Sequence, residues 1–247
     1  KPLFDYIESG SDDELTLRRN TSAFEEYDLI PSGLADVANI DLSVTILGQK
    51  VNSPLFLAPT GMNRLFHHEG EYATSQAAEK YGCYYSLSSL SSVSIEKIGA
   101  LTKSPKMFQI YIHKDKGLTY EFIERCKQAN FTSLCLTIDT IVAGNRERDL
   151  RSGMTMPPKF TPSSLLSFAM RPRWVLNYLT HEAFKLANLE GRTEIGSQKS
   201  ISVIDYLNSQ FDTNLRWDDA KKAIEAWGGP FAIKGIMSVE DAKRAVD

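Results

Sequence analysis

The sequence predicts an α/β fold in which a parallel β-sheet is covered by helices. Three observations lead there. Short runs rich in aliphatic and aromatic residues alternate with helical patterns along the chain. The runs are apolar throughout instead of alternating with polar residues, the mark of strands buried on both faces. The first four start roughly 25–30 residues apart, the length of a βα unit.

The elements follow in order. Residues 1–8 open on a helical stretch. Residues 54–60 (PLFLAPT) form the first strand and 71–80 a helix. Residues 83–88 (CYYSLS) form the second strand, followed by a short helix begun by Ser94. Residues 107–112 (MFQIYI) precede a helix near 118–128, and 133–139 (SLCLTID) form the fourth strand. The fifth, 231–235 (FAIKG), precedes a helix begun by Ser238, with Glu240 and Asp241 in its first turn. Between the fourth and fifth strands lie about 90 residues, too many for a plain connection. This interval holds Pro157, Pro158, Pro162 and Pro172 and an apolar, basic stretch at 163–179. A polar patch at 191–200 reads as a mobile loop, and 201–207 and 216–227 as helices. Residues 141–215 are expected as a long lid insertion within one domain spanning 1–247.

Composition narrows the class. With 42% hydrophobic and 24% charged residues the chain is neither disordered nor of low complexity. A net charge of −3 offers no basic field for nucleic acid. Three cysteines without a C-x-x-C pair argue against a disulfide scaffold or zinc ribbon and point to a reducing compartment. No apolar run approaches the ~20 residues that cross a bilayer, and no signal-peptide pattern is present. The chain starts at Lys1 and its last helix has no Gly or Asn stop, so a piece of a longer protein is expected.

Each strand ends on small or polar residues: Thr60 and Gly61, Ser88 and Ser89, Gln109 and Tyr111, Thr137 and Asp139, Lys234 and Gly235. Singly these read as turn residues. In succession they read as the lined C-terminal mouth of a barrel, where βα loops converge. An open doubly wound sheet is the alternative, disfavoured because no G-x-G-x-x-G follows the first strand. The expected architecture is therefore an incomplete (β/α)8 barrel of five parallel strands.

Several stretches carry a family resemblance. They are residues 4–10 (FDYIESG), 58–62 (APTGM) with 68–71 (HEGE), 87–89 (LSS), 108–111 (FQIY), 136–140 (LTIDT) with 144–146 (GNR), and 233–235 (IKG). In this order and spacing they resemble the FMN-dependent α-hydroxy acid oxidase and dehydrogenase family across nearly the whole chain. Gly153, Met154, Pro157, Pro158 and the Pro172-Arg173-Trp174 segment look most like its bacterial L-lactate dehydrogenase branch, linked to a quinone or cytochrome.

The resemblance implies FMN at the strand C-termini and assigns roles. Pro59, Thr60 and Gly61 would bring backbone against the flavin. Ser88, Gln109 and Thr137 would hydrogen-bond its ring edge and ribityl chain. Lys234 would sit beside the flavin and stabilise negative charge there; flanked by Ile233 and Gly235, it is awkward as a core residue. Arg146 would pair with the substrate carboxylate through its guanidinium fork. On sequence alone it also reads as part of a solvated charged run with Glu147, Arg148, Asp149 and Arg151. Tyr6 and Tyr111 would bind the carboxylate and the reacting oxygen, or else be amphipathic core residues. Asp139 would pair with the catalytic histidine. That histidine and a second arginine belong to a His-Gly-Gly-Arg type of motif expected beyond residue 247. His67, His68, His113 and His181 do not match it, and no cluster shows metal-ligand spacing, so no metal site is expected.

The implied activity is oxidation of a small L-2-hydroxy acid, L-lactate first, to the 2-oxo acid. Leu90 stands where glycolate oxidases carry an aromatic residue, and Gly61 where oxygen-using members commonly carry alanine. Both favour lactate and a quinone or cytochrome acceptor over glycolate and oxygen. The alternatives are an oxygen-using 2-hydroxy acid oxidase and a non-catalytic barrel fragment. The resemblance also implies a homo-oligomer, a tetramer when complete, in the cytoplasm or on the cytoplasmic face of the inner membrane. Arg171, Arg173, Trp174 and Tyr178 suit either peripheral membrane contact or a lid packed on the barrel mouth or a neighbouring subunit. By itself this polypeptide is expected to hold FMN poorly, to aggregate and not to turn over.

Overall fold

A computed structural model describes residues 2–140, 144–154, 160–190 and 212–246. Two compact units are formed, one by residues 1–41 with 143–176, the other by 42–142 with 177–247. The expected helix at 201–207 and the loop at 191–200 lie outside the described residues.

The first unit is helical. It contains α1 (Pro2–Glu8), α2 (Leu15–Ser22) and, after the second unit's strands, α6 (Glu147–Ser152) and α7 (Pro162–Ala169). Ion pairs join its two chain segments: Arg148 reaches Glu8 at 3.3 Å and Glu14 at 2.6 Å. Thr161 caps α7 by accepting the Ser164 N–H, and Pro162 fills the first turn, where no donor is needed. A further helix, α8 (Pro172–Thr180), follows. Phe168 stacks on Trp174 and meets Phe160 edge-on, with ring centroids 5.1 and 5.0 Å away.

The second unit holds the sheet. A hairpin, β1 (Val44–Ile46) and β2 (Gln49–Val51), comes first. Then β3 (Phe56–Leu57), α3 (Gly70–Tyr81), β4 (Tyr84–Ser88), α4 (Ile95–Leu101), β5 (Lys106–Ile110), α5 (Lys116–Gln128) and β6 (Ser133–Thr137) alternate. After the insertion come α9 (Trp217–Trp227), β7 (Phe231–Lys234) and α10 (Val239–Val246). The five later strands are all parallel and pair in sequential order β3-β4-β5-β6-β7. A doubly wound sheet reverses its order at a switch point; this one does not, which is the arrangement of a partial (β/α)8 barrel.

Period-two alternation sorts the side chains. Leu87, Phe108, Ile110, Leu134 and Leu136 face one way and are fully buried. On that face Phe108 meets Phe122 of α5 and Phe131 edge-on at 5.6 and 6.0 Å. The opposite face carries Tyr84, Met107 and Cys135, packed with Val51 and with Val44, Ile46, Leu47 and Ala232. The hairpin thus covers the N-terminal half of that face and leaves the C-terminal half to other residues. All three cysteines are buried and unbridged.

Two details depart from the sequence reading. The first strand is only Phe56–Leu57 instead of 54–60, because Pro54 and Pro59 have no N–H to donate to a ladder. The hairpin is not foreseen, because its turn lacks the usual Asn-Gly or Asp-Gly signal. Leu47 and Gly48 take φ of 49° and 73°, the two left-handed positions of a type I′ turn. Packing of Leu47 against the core offsets the strain of a leucine there.

Candidate active site

The site grows from the strand ends on the half of the face that the hairpin leaves uncovered. Ser88 closes β4, Gln109 lies in β5, Thr137 closes β6 and Lys234 closes β7. Cross-strand register sets Ser88 beside Gln109, and Thr137 beside Lys234. The side chains form a continuous chain of hydrogen bonds. Ser88 Oγ donates to Gln109 Oε1 at 3.2 Å, and Gln109 Nε2 donates to Thr137 Oγ1 at 2.9 Å. All three residues are buried. Ser89, read from sequence as a strand-end residue with no role of its own, also donates to Gln109 Oε1 at 3.5 Å.

At the far end Lys234 Nζ donates to Asp139 Oδ2 at 3.2 Å, with both side chains partly exposed. Gly235 makes this approach possible. It holds φ +101°, and an added Cβ would fall 2.6 Å from Asp139 Cβ. Tyr111 lies one residue past β5, its ring 6.4 Å from that of His113. Burial pushes the His113 ring down to about 4, so it stays neutral at physiological pH.

Pro59, Thr60 and Gly61 follow β3 as irregular backbone. The segment after them is pinned to the loop after β4. Met62 N donates to Leu90 O at 3.0 Å and Arg64 N to Ser92 Oγ at 3.1 Å. Glu71, fully buried in α3, organises both loops. Its carboxylate accepts Ser92 Oγ at 2.5 Å, Ser92 N at 2.9 Å and Asn63 N at 3.3 Å. A Cβ on Gly61 would meet Leu90 Cβ at 3.0 Å. Glu71 appears in the sequence only inside the HEGE motif; its role is set by contacts with residues distant along the chain.

The first unit holds Tyr6 and Arg146. The Arg146 guanidinium lies 4.7 Å from the centre of the Tyr6 ring. It donates to Asp149 Oδ2 at 2.6 Å, to Ser9 Oγ at 3.0 Å and to the Tyr6 carbonyl. Asp149 is buried, so this arginine is held in place rather than lying on a freely solvated face. Burial raises the Tyr6 hydroxyl above its ordinary value, against the opposing pull of the Arg146 charge.

The family model for FMN-dependent dehydrogenases matches residues 1–247. The chain belongs to this FMN-dependent dehydrogenase family. It is 36% identical to a putative L-lactate dehydrogenase of Mycobacterium tuberculosis, over 100% of this chain and 58% of that protein. Glycolate oxidase 1 of Oryza sativa subsp. indica is 32% identical over 100% of this chain and 61% of its own length. Among solved structures, an (S)-mandelate dehydrogenase described as a monotopic membrane protein superposes with TM-score 0.90 at 29% identity. The match covers 99% of this chain and 65% of that one. The chain therefore spans 58% and 61% of the length of these two curated relatives.

The donor set fits the flavin of an FMN-dependent dehydrogenase. A flavin edge carries carbonyl acceptors, and Gln109 keeps one amide proton beyond the one given to Thr137. Thr137 accepts from Gln109, which leaves its own hydroxyl proton for a further acceptor. Gly61 and Gly235 admit the close approach of Leu90 and Asp139, and Lys234 supplies positive charge at the same strand ends.

Proposed function

We propose that the protein oxidises an L-2-hydroxy acid, L-lactate in first place, to the 2-oxo acid and passes the electrons to a quinone or cytochrome. The observation that carries this reading is the Ser88–Gln109–Thr137 hydrogen-bond chain beside the Lys234–Asp139 pair. Ser88, Gln109, Thr137 and Lys234 would hold FMN, with Pro59, Thr60 and Gly61 presenting backbone. Bound there, FMN would supply the two-electron acceptor for the carbon that bears the hydroxyl. The Lys234 ammonium favours negative charge developing at its end of the strands, because it is fixed in place before reaction. Arg146 would take the substrate carboxylate, its planar fork oriented by Asp149 and Ser9. The Tyr6 hydroxyl would share that carboxylate, and Tyr111 would contact the reacting hydroxyl. Asp139 would orient the imidazole that removes the hydroxyl proton.

The test is steady-state kinetics of the full-length protein with L-lactate, glycolate and mandelate. L-lactate is expected to give the highest kcat/KM with a quinone analogue as acceptor. Arg146→Lys is expected to raise KM for L-lactate by about tenfold or more while flavin content stays unchanged. An unchanged KM rejects the assignment of Arg146. Preference for glycolate with release of hydrogen peroxide selects the oxidase alternative.

A second reading concerns the membrane surface. In α7, α8 and the turn between them, Leu165, Leu166, Met170 and Leu176 each expose more than half of their surface, next to Arg171 and Arg173. Apolar residues flanked by arginines suit a peripheral contact with an anionic lipid surface. The monotopic (S)-mandelate dehydrogenase supports the same reading by analogy. No described helix is long and apolar enough to cross a membrane.

A further inference from the structure

His67, His68 and Glu69 follow one another in the segment between Asn63–Leu65 and α3, and their ligand atoms lie within 4.8 Å of one another. His181, just past α8, brings a third imidazole to the group. Its ring stacks on that of His68 with centroids 3.9 Å apart, and the His67 ring lies 4.3 Å from that of His68. The expectation of no metal site rests on sequence spacing, and the fold adds His181 of the insertion to the consecutive His67, His68 and Glu69.

Hydrogen bonds decide where lone pairs lie. His181 Nδ1 is 2.8 Å from the Asn177 carbonyl oxygen, which can only accept. That nitrogen therefore carries the proton, and the lone pair is on Nε2. Donation of the other ring N–H to a backbone carbonyl is how metal-ligating histidines are held. His67 Nδ1 accepts the Glu69 N–H in a long contact of 3.3 Å and lies 3.8 Å from Glu69 Oε2. That lone pair already accepts an N–H, so His67 ligates through it only once this long contact is released. His68 Nδ1 is buried with no hydrogen-bond partner among the described residues, an arrangement that calls for an ion or water.

The surrounding charges leave room for a cation. Arg64 is bonded to this segment, its Nε donating to the His68 carbonyl at 3.0 Å. Its charge is matched by Glu182 at 2.9 Å. Lys185 is matched by Glu182 at 3.4 Å and by Glu190 at 3.0 Å. His67 and Glu69 are more than half exposed, so their side chains can turn inward at little cost.

We propose that His67, His68 and Glu69, with His181 as fourth donor, form a binding site for a divalent transition metal of the zinc class. Imidazole with one carboxylate suits Zn2+ and its neighbours in the first transition row, whereas Ca2+ and Mg2+ take oxygen ligands. Coordination at bonds of about 2.0–2.1 Å requires the His68 and His181 rings to rotate out of their present stack, in which the ring planes lie 28° apart. The metal would tie the segment after Pro59, Thr60 and Gly61 to residue 181. It would thus brace the backbone that follows the first strand. The proposal stands apart from the assignment of FMN, lactate or acceptor.

The test uses the untagged full-length protein, stripped with a chelator and titrated with Zn2+ by calorimetry and with Co2+ by visible absorption. Saturation at one equivalent is expected, with Kd below about 10 µM for Zn2+, and with Co2+ bands characteristic of imidazole ligation. His68→Gln and His181→Gln, checked for folding by circular dichroism, are each expected to weaken Zn2+ binding by about tenfold or more. The Co2+ spectrum of the parent protein needs no variant. No saturable binding by the parent protein, or an unchanged affinity in either variant, overturns the site.

Discussion

Replacing Gln109 by leucine keeps the volume of the side chain and removes both ends of its amide. Ser88 and Ser89 then lose their acceptor, and Thr137 loses its donor. These hydroxyls sit in a buried setting, where a group left unpaired costs about 1–3 kcal/mol. Gln109→Leu is therefore expected to lower the urea midpoint and, in the full-length protein, to reduce flavin retention on gel filtration. Normal stability and full flavin content would falsify the role given to the hydrogen-bond chain. Arg146 illustrates the same scale differently. Its charged neighbours allow a solvated face, yet Asp149, Ser9 and the Tyr6 carbonyl hold the guanidinium in one place. Neither Ser9 nor Tyr6 lies near it in sequence, so no local pattern announces the contact.

At the scale of elements, caps and ion pairs register the helices on the sheet. Ser94 starts α4 by accepting the Lys97 N–H, as its position before an apolar run predicts. Arg125 of α5 grips Glu96 of α4 with both arms of its fork, at 2.6 and 3.1 Å, and reaches the Asn188 carbonyl at 3.1 Å. The hydrogen bonds from Arg125 hold the Glu96 carboxyl down to about 2, against its ordinary value of 4.5. A depressed carboxyl stabilises the fold above its unfolded value, and that stabilisation is lost as pH falls from 4.5 toward 2. Glu96 is about half exposed, so solvent screening keeps the effect modest. Glu96→Gln leaves the Arg125 contact with Asn188 intact. It is expected to lower the urea midpoint at neutral pH and to flatten its decline through that acid window. A decline as steep as in the parent protein counts against this ion pair.

For the molecule as a whole, the formal net charge of −3 opposes approach to an anionic surface, so any membrane contact must come from a local patch. Arg171 and Arg173 beside the exposed Leu165, Leu166, Met170 and Leu176 form such a patch. The full-length protein is expected to co-sediment with anionic vesicles at low salt and to be released as salt rises. The double substitution Leu165→Glu and Leu166→Glu is expected to abolish sedimentation without lowering the thermal midpoint, since both side chains are exposed in the fold. Equal sedimentation with neutral vesicles, or sedimentation unaffected by the substitutions, would point away from this face.

By itself the sequence determined the parallel α/β architecture, the five strands that carry the strand-end residues, and family membership. Those features are local: apolar runs, helix periods and polar strand ends are all written within a few residues of one another. The placement of the polar strand-end residues was legible for the same reason, because strand periodicity already sets Gln109 and Thr137 on the sheet face opposite Phe108 and Leu136. Only the tertiary structure decided the hairpin beneath the strands, where Leu47 takes a left-handed turn because core packing offsets its strain. It alone showed Glu71 as the hub of two loops, Asp149 as the anchor of Arg146, and the stack of His67, His68 and His181. Each depends on contacts between groups far apart in the chain, and the energy that selects them exists only once the strands have brought those groups together.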